Sequence, residues 1–145
     1  MIDYKIYFGG AFMETSHKLT VVNPFTLQPF ATTYQAGPEE LEYAITKAER
    51  VRQELKKLPV CKRYEILMQI ATEIKSKREQ LATVLCQESA KPMRYALGEI
   101  DRAAQTFIIA AEECKRLPKE YISLDWTPAG EGKEGFINYF PIGLI

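Results

Sequence analysis

The stretch ESAKPMRYALGEIDRAAQTFIIAA, residues 88–111, decides how this chain is organised. Pro92 can open a helix, because the N–H that proline lacks would have no partner in a first turn. The apolar residues that follow recur every three or four positions, which predicts one buried helix face. They are Met93, Ala96, Leu97, Ile100, Ala103, Ala104, Phe107 and Ala111. Half of them are alanines, so we expect a neighbouring element to approach closely before Pro118 stops the helix.

Three more helices are predicted on the amino-terminal side of this one. The first begins at Gly37-Pro38-Glu39-Glu40, where proline suits the first turn and acids suit the positive end of the helix dipole. Pro59 ends it and can begin the second, and Ser76-Lys77-Arg78-Glu79 matches a capping box that starts the third. The three apolar stripes are Leu41, Ala44, Ile45, Ala48, Val51, Leu55 and Leu58; Val60, Tyr64, Leu67, Met68, Ala71 and Ile74; and Leu81, Val84 and Leu85.

The beginning of the chain has strand-like patterns. Alternating Tyr4, Ile6 and Phe8 precede a Gly9-Gly10 turn. Two segments rich in β-branched and aromatic residues follow, Leu19–Val22 and Phe30–Tyr34. An antiparallel hairpin or meander is the simplest arrangement of these segments, packed beside the helices.

The end of the chain has two parts. Residues 119–134 have the composition of a connector, and Phe136–Ile145 is typical of a β segment interrupted by Pro141 and Gly143. Natural termini usually fray into solvent, whereas this segment ends on apolar residues. We therefore expect the 145 residues to be a piece of a larger fold, with an edge strand that ends on apolar residues as the alternative.

These patterns predict a mixed α and β fold in one structural unit. It consists of an N-terminal β hairpin or meander in residues 1–36, a helical layer in residues 37–118, a connector in residues 119–134 and the start of a strand in residues 135–145.

Composition excludes several classes of protein. With 46% hydrophobic and 26% charged residues the chain can bury a core, which argues against wholesale disorder. The 19 basic and 19 acidic residues balance, so nothing attracts the whole chain to nucleic acid or to an anionic membrane. No apolar run is long enough to span a bilayer, and residues 1–15 do not have the pattern of a secretory leader. A cytoplasmic protein is expected.

The cysteines and the histidine are weak candidates for chemistry. Cys61, Cys86 and Cys114 are odd in number and far apart, which argues against a disulfide framework or a zinc site. Cys61 lies beside two cations near a helix start, where its thiol could be activated, but no histidine is near in sequence to act as a base. His17, the only histidine, is expected to be a solvated loop residue.

A glycine-rich segment and several carboxylates also have plain structural interpretations. Gly130–Gly135 matches G-x-G-x-x-G, but a strand follows it where nucleotide binding requires a helix, so a flexible turn is expected. The acidic groups at Glu39, Glu40 and Glu42, and at Glu112 and Glu113, are expected to be solvated or to cap helices. Composition and spacing alone therefore indicate no function.

Ordered landmarks along the chain resemble the aldehyde dehydrogenase superfamily. They are Val21-Val22-Asn23-Pro24-Phe25, which is similar to a V-N-P turn; residues 38–58, similar to a first helix; Lys62–Leu67, similar to R-x-x-I-L; Glu88-Ser89-Ala90-Lys91-Pro92, similar to E-T-G-K-P; Gly98-Glu99-Ile100 with Phe107, similar to G-E-V and an aromatic; and Phe140–Ile145, similar to E-P-x-G-V-x. The connector resembles the branch of lactaldehyde and non-phosphorylating glyceraldehyde-phosphate dehydrogenases.

Two residues depart from these motifs. Ala90 stands where the family has glycine, and Phe140 stands where it commonly has an acid. If the turn at residue 90 needs a positive φ, alanine is strained there.

The resemblance implies the amino-terminal segment of an NAD- or NADP-dependent enzyme that oxidises a small aldehyde to a carboxylic acid. In that family a cysteine thiolate attacks the aldehyde, the thiohemiacetal passes hydride to the cofactor, and a glutamate-activated water releases the acid. The helices would flank the cofactor domain, and the last strand would lead to an oligomerisation arm of a homo-oligomer.

The same resemblance implies that this segment contains no catalytic and no cofactor-binding residue and is inactive alone. Some family members hold a structural sodium ion, for which the Val22 carbonyl and Glu88 would be partial ligands here. Two alternatives stay open: a non-enzymatic helical module that binds a partner, and a CoA-acylating or reductase member of the superfamily.

Overall fold

The computed structural model describes all residues 1–145 and confirms a mixed α and β architecture. The strands are β1 (Ile2–Asp3), β2 (Ile6–Phe8), β3 (Ala11–Met13), β4 (His17–Val22), β5 (Pro29–Gln35), β6 (Glu120–Ser123) and β7 (Glu134–Ile137). The helices are α1 (Pro38–Lys57), α2 (Val60–Ser76), α3 (Arg78–Ser89) and α4 (Met93–Cys114), with a short 3₁₀ turn at Pro128–Gly130. None of the four helices combines the length and hydrophobicity needed to cross a bilayer.

The N-terminal sheet has the order β1-β5-β4 and is not a simple meander. β4 and β5 pair antiparallel as expected, but β1 runs parallel to β5. The β2–β3 hairpin and β4 lie between β1 and β5 in the chain, so no tight turn forces these two strands to be antiparallel. Tyr4 belongs to neither β1 nor β2, although its N–H donates to the Thr32 carbonyl at 2.8 Å.

Tyr34 on the central strand β5 holds the edge strand β1 in place. It is buried, and its hydroxyl donates to the Asp3 carboxylate at 2.8 Å, which ties β1 to β5. Burial and the neighbouring carboxylate raise the pKa of Tyr34 to about 12. The phenol therefore stays protonated and keeps donating at physiological pH.

The predicted turn at Gly9-Gly10 is confirmed. Both glycines have a positive φ, 61° and 94°, and β2 pairs antiparallel with β3. A Cβ on Gly9 would lie 2.3 Å from the ring of Tyr43, and the Phe8 ring meets the Tyr43 ring edge to face at 6.1 Å. The hairpin is thus seated against α1 at a point where only glycine fits.

The close approach predicted from alanines is confirmed in the helical layer, where α4 packs mainly against α2 and then α3. The fully buried helix positions are all alanines: Ala71, Ala82, Ala96, Ala104 and Ala111. No large side chain is completely buried anywhere in the chain. The interface is therefore made by backbone approach, with the longer apolar side chains half-buried around it.

The expected apolar face of α1 is only partly covered. Leu41, Val51 and Leu55 are 58%, 52% and 64% exposed. α1 makes no extensive contact with another helix, so its amphipathic pattern is satisfied only where the β2–β3 hairpin and residues 141–144 approach it.

Helix starts follow the sequence signals at Gly37, Pro59 and Pro92, and α3 also begins near its predicted start but without the predicted cap. Gly37 is the N-cap of α1, where the Glu40 carboxylate accepts from the Gly37 N–H at 2.7 Å, and Pro59 is the N-cap of α2. The capping box at residues 76–79 is wrong. Ser76 is the last residue of α2 and donates to the Glu73 carbonyl at 2.8 Å, while Lys77 is the junction and begins α3 without a side-chain cap.

The C-terminal part also differs from expectation. Residues 119–134 are more than a connector, because β6 lies within them and pairs antiparallel with β7 as a two-stranded ribbon. The strand expected to run to Ile145 stops at Ile137. Pro141 lacks an N–H, and Gly143 adopts a φ of 118°, so this segment cannot continue a ladder.

The turn between α3 and α4 contains Ala90, the alanine that stands where the similar motif has glycine. Ala90 has φ 56° and ψ 20°, the left-handed region that alanine rarely adopts. We expect Ala90→Gly to raise the free energy of unfolding by about 1 kcal/mol, measured by urea denaturation. Ser89→Gly is the control, because it places glycine one residue earlier in a helical position and should lower stability. A destabilised Ala90→Gly would show that the turn is not strained.

Candidate functional site

The three cysteines are separate and free. Cys61 is exposed in the first turn of α2, while Cys86 and Cys114 are half-buried on α3 and α4. His17 is the first residue of β4, so its expected place in a loop is wrong, although it is exposed. Its Nδ1 lies 3.1 Å from Oγ of the adjacent Ser16, and no carboxylate orients the ring as in a catalytic triad.

The glycine-rich segment forms a turn, as expected, and several hydrogen bonds close it. Gly130 is buried in the 3₁₀ turn, and its carbonyl accepts from the Lys133 N–H at 3.0 Å. The Lys133 ammonium donates to the Ala129 carbonyl at 2.6 Å. As expected, a strand follows, and it begins at Glu134. The segment therefore shapes the β6–β7 ribbon and offers no helix start to a pyrophosphate.

Three of the carboxylates that could be imagined as acid–base pairs, Glu40, Glu112 and Glu113, have structural partners. Glu112 accepts from Lys115 at 3.2 Å, and Glu113 accepts from Arg116 at 2.6 Å, both as pairs one helical turn apart. Glu40 caps α1, as expected. Glu39 and Glu42 are exposed, so these acidic groups are solvated or cap a helix, as expected.

Two ion pairs join α4 to α3 and to the turn that precedes α4. The Arg78 guanidinium donates to both oxygens of Asp101 at 2.6 and 2.8 Å, and the Lys91 ammonium donates to the Glu99 carboxylate. These hydrogen bonds hold the pKa of Asp101 and of Glu99 below the usual range for each carboxyl. The sequence does not reveal these pairs, because Arg78 and Asp101 are 23 positions apart and only the packing of α3 against α4 brings them together.

Replacing Arg78 should make the fold less stable in a pH-dependent way. In Arg78→Gln we expect the pKa of Asp101 to rise towards its ordinary value, read from its carboxyl resonance in a pH titration. Because the pKa is depressed in the folded chain, the stabilisation is present near neutral pH and is lost as pH falls through the folded pKa. The stability gap between wild type and variant should therefore close in acid. The Glu99 titration is the internal control and should not move; an unchanged Asp101 titration would contradict the assignment.

The weak sodium prediction falls at the edge of the N-terminal sheet. Glu88 and Val21 line one small depression with Val84, and the strand register shifts between Val21 and Val22. The chain brings together no group of three or more His, Cys, Asp or Glu residues that could hold a metal ion. One carboxylate and one carbonyl are too few to form a site by themselves, so the roles of Val22 and Glu88 stay a prediction.

The chain is similar to proteins of known type over nearly its whole length. A family model described as the aldehyde dehydrogenase family matches residues 12–145. A 3-sulfolactaldehyde dehydrogenase of Priestia aryabhattai is 32% identical over 143 residues, which are 99% of this chain and 30% of that protein. The chain therefore spans about 30% of the length of such relatives.

Solved structures show the same correspondence. Aldehyde dehydrogenase 21 of Physcomitrella patens superposes with a TM-score of 0.89 at 29% identity, covering 93% of this chain and 28% of that one. The glyceraldehyde-3-phosphate dehydrogenase GapN of Methanocaldococcus jannaschii, complexed with NADP, gives 0.70 at 38% identity, covering 72% and 23%. In each case the chain matches only one part of a much longer polypeptide.

Proposed function

The chain belongs to the aldehyde dehydrogenase family, and on that premise we propose that it is the amino-terminal part of an NAD- or NADP-dependent enzyme that oxidises a small aldehyde to a carboxylic acid. The observation that carries the proposal is the similarity over 99% of this chain to only 30% of a 3-sulfolactaldehyde dehydrogenase. A further relative, complexed with NADP, supports a nicotinamide cofactor in the parent.

In this proposal the 145 residues support the enzyme and do not carry its chemistry. The alanine interface of α4 with its neighbouring helices and the Arg78–Asp101 clamp hold the helical layer together. The cysteine that attacks the aldehyde and the glutamate that activates water belong to the rest of the polypeptide. Bound NAD or NADP would accept the hydride there.

The proposal also assigns a place in the complete enzyme to each segment of the chain. Residues 1–36 form the N-terminal β part of the enzyme, and the helices of residues 37–118 flank the cofactor domain. Residues 119–134 and 135–145 lead towards the oligomerisation arm, and the β6–β7 pairing supports treating them together as one ribbon. The parent is proposed to be a cytoplasmic homo-oligomer that binds neither nucleic acid nor membrane. The uncovered face of α1 would pack against the remaining polypeptide.

An activity assay tests this function. The purified 145-residue chain should form no reduced nicotinamide from small aldehydes such as lactaldehyde with NAD or NADP. The complete product of the reading frame that encodes this chain should form it. Turnover by the short chain, or none by the complete product with any aldehyde or cofactor, would contradict the proposal.

A cysteine variant of the complete product is the matched control. Replacing Cys61, Cys86 and Cys114 together by alanine should leave kcat within about twofold of wild type, because none of them is the proposed nucleophile. Loss of burst kinetics and of turnover in this folded variant would place the nucleophile inside these 145 residues.

A further inference from the structure

A groove with an unusual concentration of positive charge lies where four segments of the chain meet. The end of α1, the start of α2, residues 114–119 and residues 138–141 enclose about 550 Å³. Its charged lining residues are Lys56, Arg63, Lys115 and Lys119, and no carboxylate lines it. The chain as a whole carries no net charge, so this one-sided lining is a local feature.

Three of the four cations have no acceptor within the chain. Lys115 is occupied, because it pairs with Glu112 at 3.2 Å and lies 3.6 Å from the centroid of the Tyr64 ring. Lys56, Arg63 and Lys119 form no ion pair. The Nε of Arg63 is buried and has no hydrogen-bond partner. An N–H that has lost water without gaining an acceptor is costly, and no other nitrogen of the Arg63 guanidinium has an acceptor within the chain either.

The rest of the lining is apolar and aromatic with one amide. Tyr139 and Phe140 line the groove from residues 138–141, Leu117 lines it beside the end of α4, and Asn138 supplies an amide group. Such a surface favours a ligand with an apolar body as well as an oxyanion. A guanidinium can donate to two oxygens of a carboxylate or phosphate at once, and lysines add point charges.

We propose that this groove binds a small organic oxyanion, a carboxylate or phosphate attached to an apolar or aromatic body. Arg63, which lines the groove, donates to the oxyanion, Lys56 and Lys119 neutralise its charge, and the body packs on Tyr139 and Phe140. The site is independent of the proposed function, since none of these residues is assigned a part in aldehyde oxidation. Failure of the one leaves the other untouched.

Three probes separate the chemistry of the ligand. Phenyl phosphate and benzoate carry an aromatic body with a phosphate or a carboxylate, and benzyl alcohol carries the body alone. Titrated into the ¹⁵N-labelled 145-residue chain, one of the two anions at least should shift the amides of residues 63, 119 and 138–140 with saturation, and benzyl alcohol should not. The anion that binds more tightly shows whether the natural ligand carries a phosphate or a carboxylate. A higher salt concentration should weaken the binding of that anion. Equal shifts with benzyl alcohol, or no saturation by either anion, would overturn the proposal.

Charge-removing variants locate the site. Arg63→Gln and Lys119→Gln should each raise the Kd for the better anion about tenfold, while Lys62→Gln should not. Lys62 is the matched control, because it is next to Arg63 and pairs with Glu65 away from the groove. Without ligand, Arg63→Gln should not lower Tm, whereas a merely structural arginine would. If Arg63→Gln unfolds, Lys119→Gln still tests the site, because Lys119 is exposed and its replacement should not disturb the fold. A Kd of Lys119→Gln equal to that of Lys62→Gln would overturn the proposal.

Discussion

Ala104→Leu is expected to destabilise the chain by about 3 kcal/mol, the upper part of the range for overpacking a close interface. Ala104 has no exposed surface and lies on α4, the helix around which the layer is built. Leucine is nearly as good a helix former as alanine, so the loss comes from forcing the helices apart and not from helix propensity. Urea denaturation followed by circular dichroism measures it, and Tm should fall by roughly 10 °C.

The neighbouring residue provides the control for this experiment. Gln105→Leu introduces the same side chain one position along α4, where the surface is exposed, and should change stability by no more than about 0.5 kcal/mol. Equal stabilities for Ala104→Leu and Gln105→Leu would mean that the alanine face of α4 is not close-packed, and the account of the helical layer would be wrong.

Gly130→Ala is expected to open the β6–β7 ribbon without unfolding the helices. A Cβ at Gly130 would lie 1.7 Å from the carbonyl oxygen of Leu124, a distance that no rotation of the methyl group relieves. The loop must therefore move, which breaks the hydrogen bonds Leu124 N–H to Lys133 and Lys133 N–H to Gly130. An isolated two-stranded ribbon is only marginally stable, so the damage stays local.

Amide hydrogen exchange distinguishes local from global damage. Protection at Leu124 and Lys133 should fall by roughly 10- to 100-fold, the equivalent of about 1–3 kcal/mol, while amides in the middle of α4 keep theirs. Gly98→Ala is the control, because a Cβ there meets nothing within 4 Å. In that variant the chain should gain about 0.5–1 kcal/mol from better helix propensity. Unchanged protection in Gly130→Ala would show that the loop can adapt freely.

Local signals in the sequence were sufficient for most of the helices. Gly37-Pro38, Pro59 and Pro92 each act within one turn of their own position, and the structure places helix starts there. The capping box at Ser76 failed because its residues match the pattern while the preceding helix continues through Ser76. A four-residue motif carries no information on whether the helix before it has already ended.

Long-range pairing could not be predicted in the same way. The parallel pairing of β1 with β5, the pairing of β6 with β7 and the Arg78–Asp101 clamp each join segments well separated in sequence. The same holds for the charged groove, whose walls come from four separate segments. No residue in any one segment signals its partner.

The stretch at residues 88–111 shows which properties local sequence determines and which depend on tertiary structure. By itself the sequence determined that this stretch is a helix with an alanine face after a proline start, because periodicity and capping act over a few residues. The sequence motifs also indicated the family, which the comparisons confirmed. Only the tertiary structure decided that Ala90 is held in a left-handed conformation, that α4 is the centre of the layer and that the Nε of Arg63 is buried without a partner. Those properties depend on which distant segments meet, and burial and charge at a position are set by those neighbours.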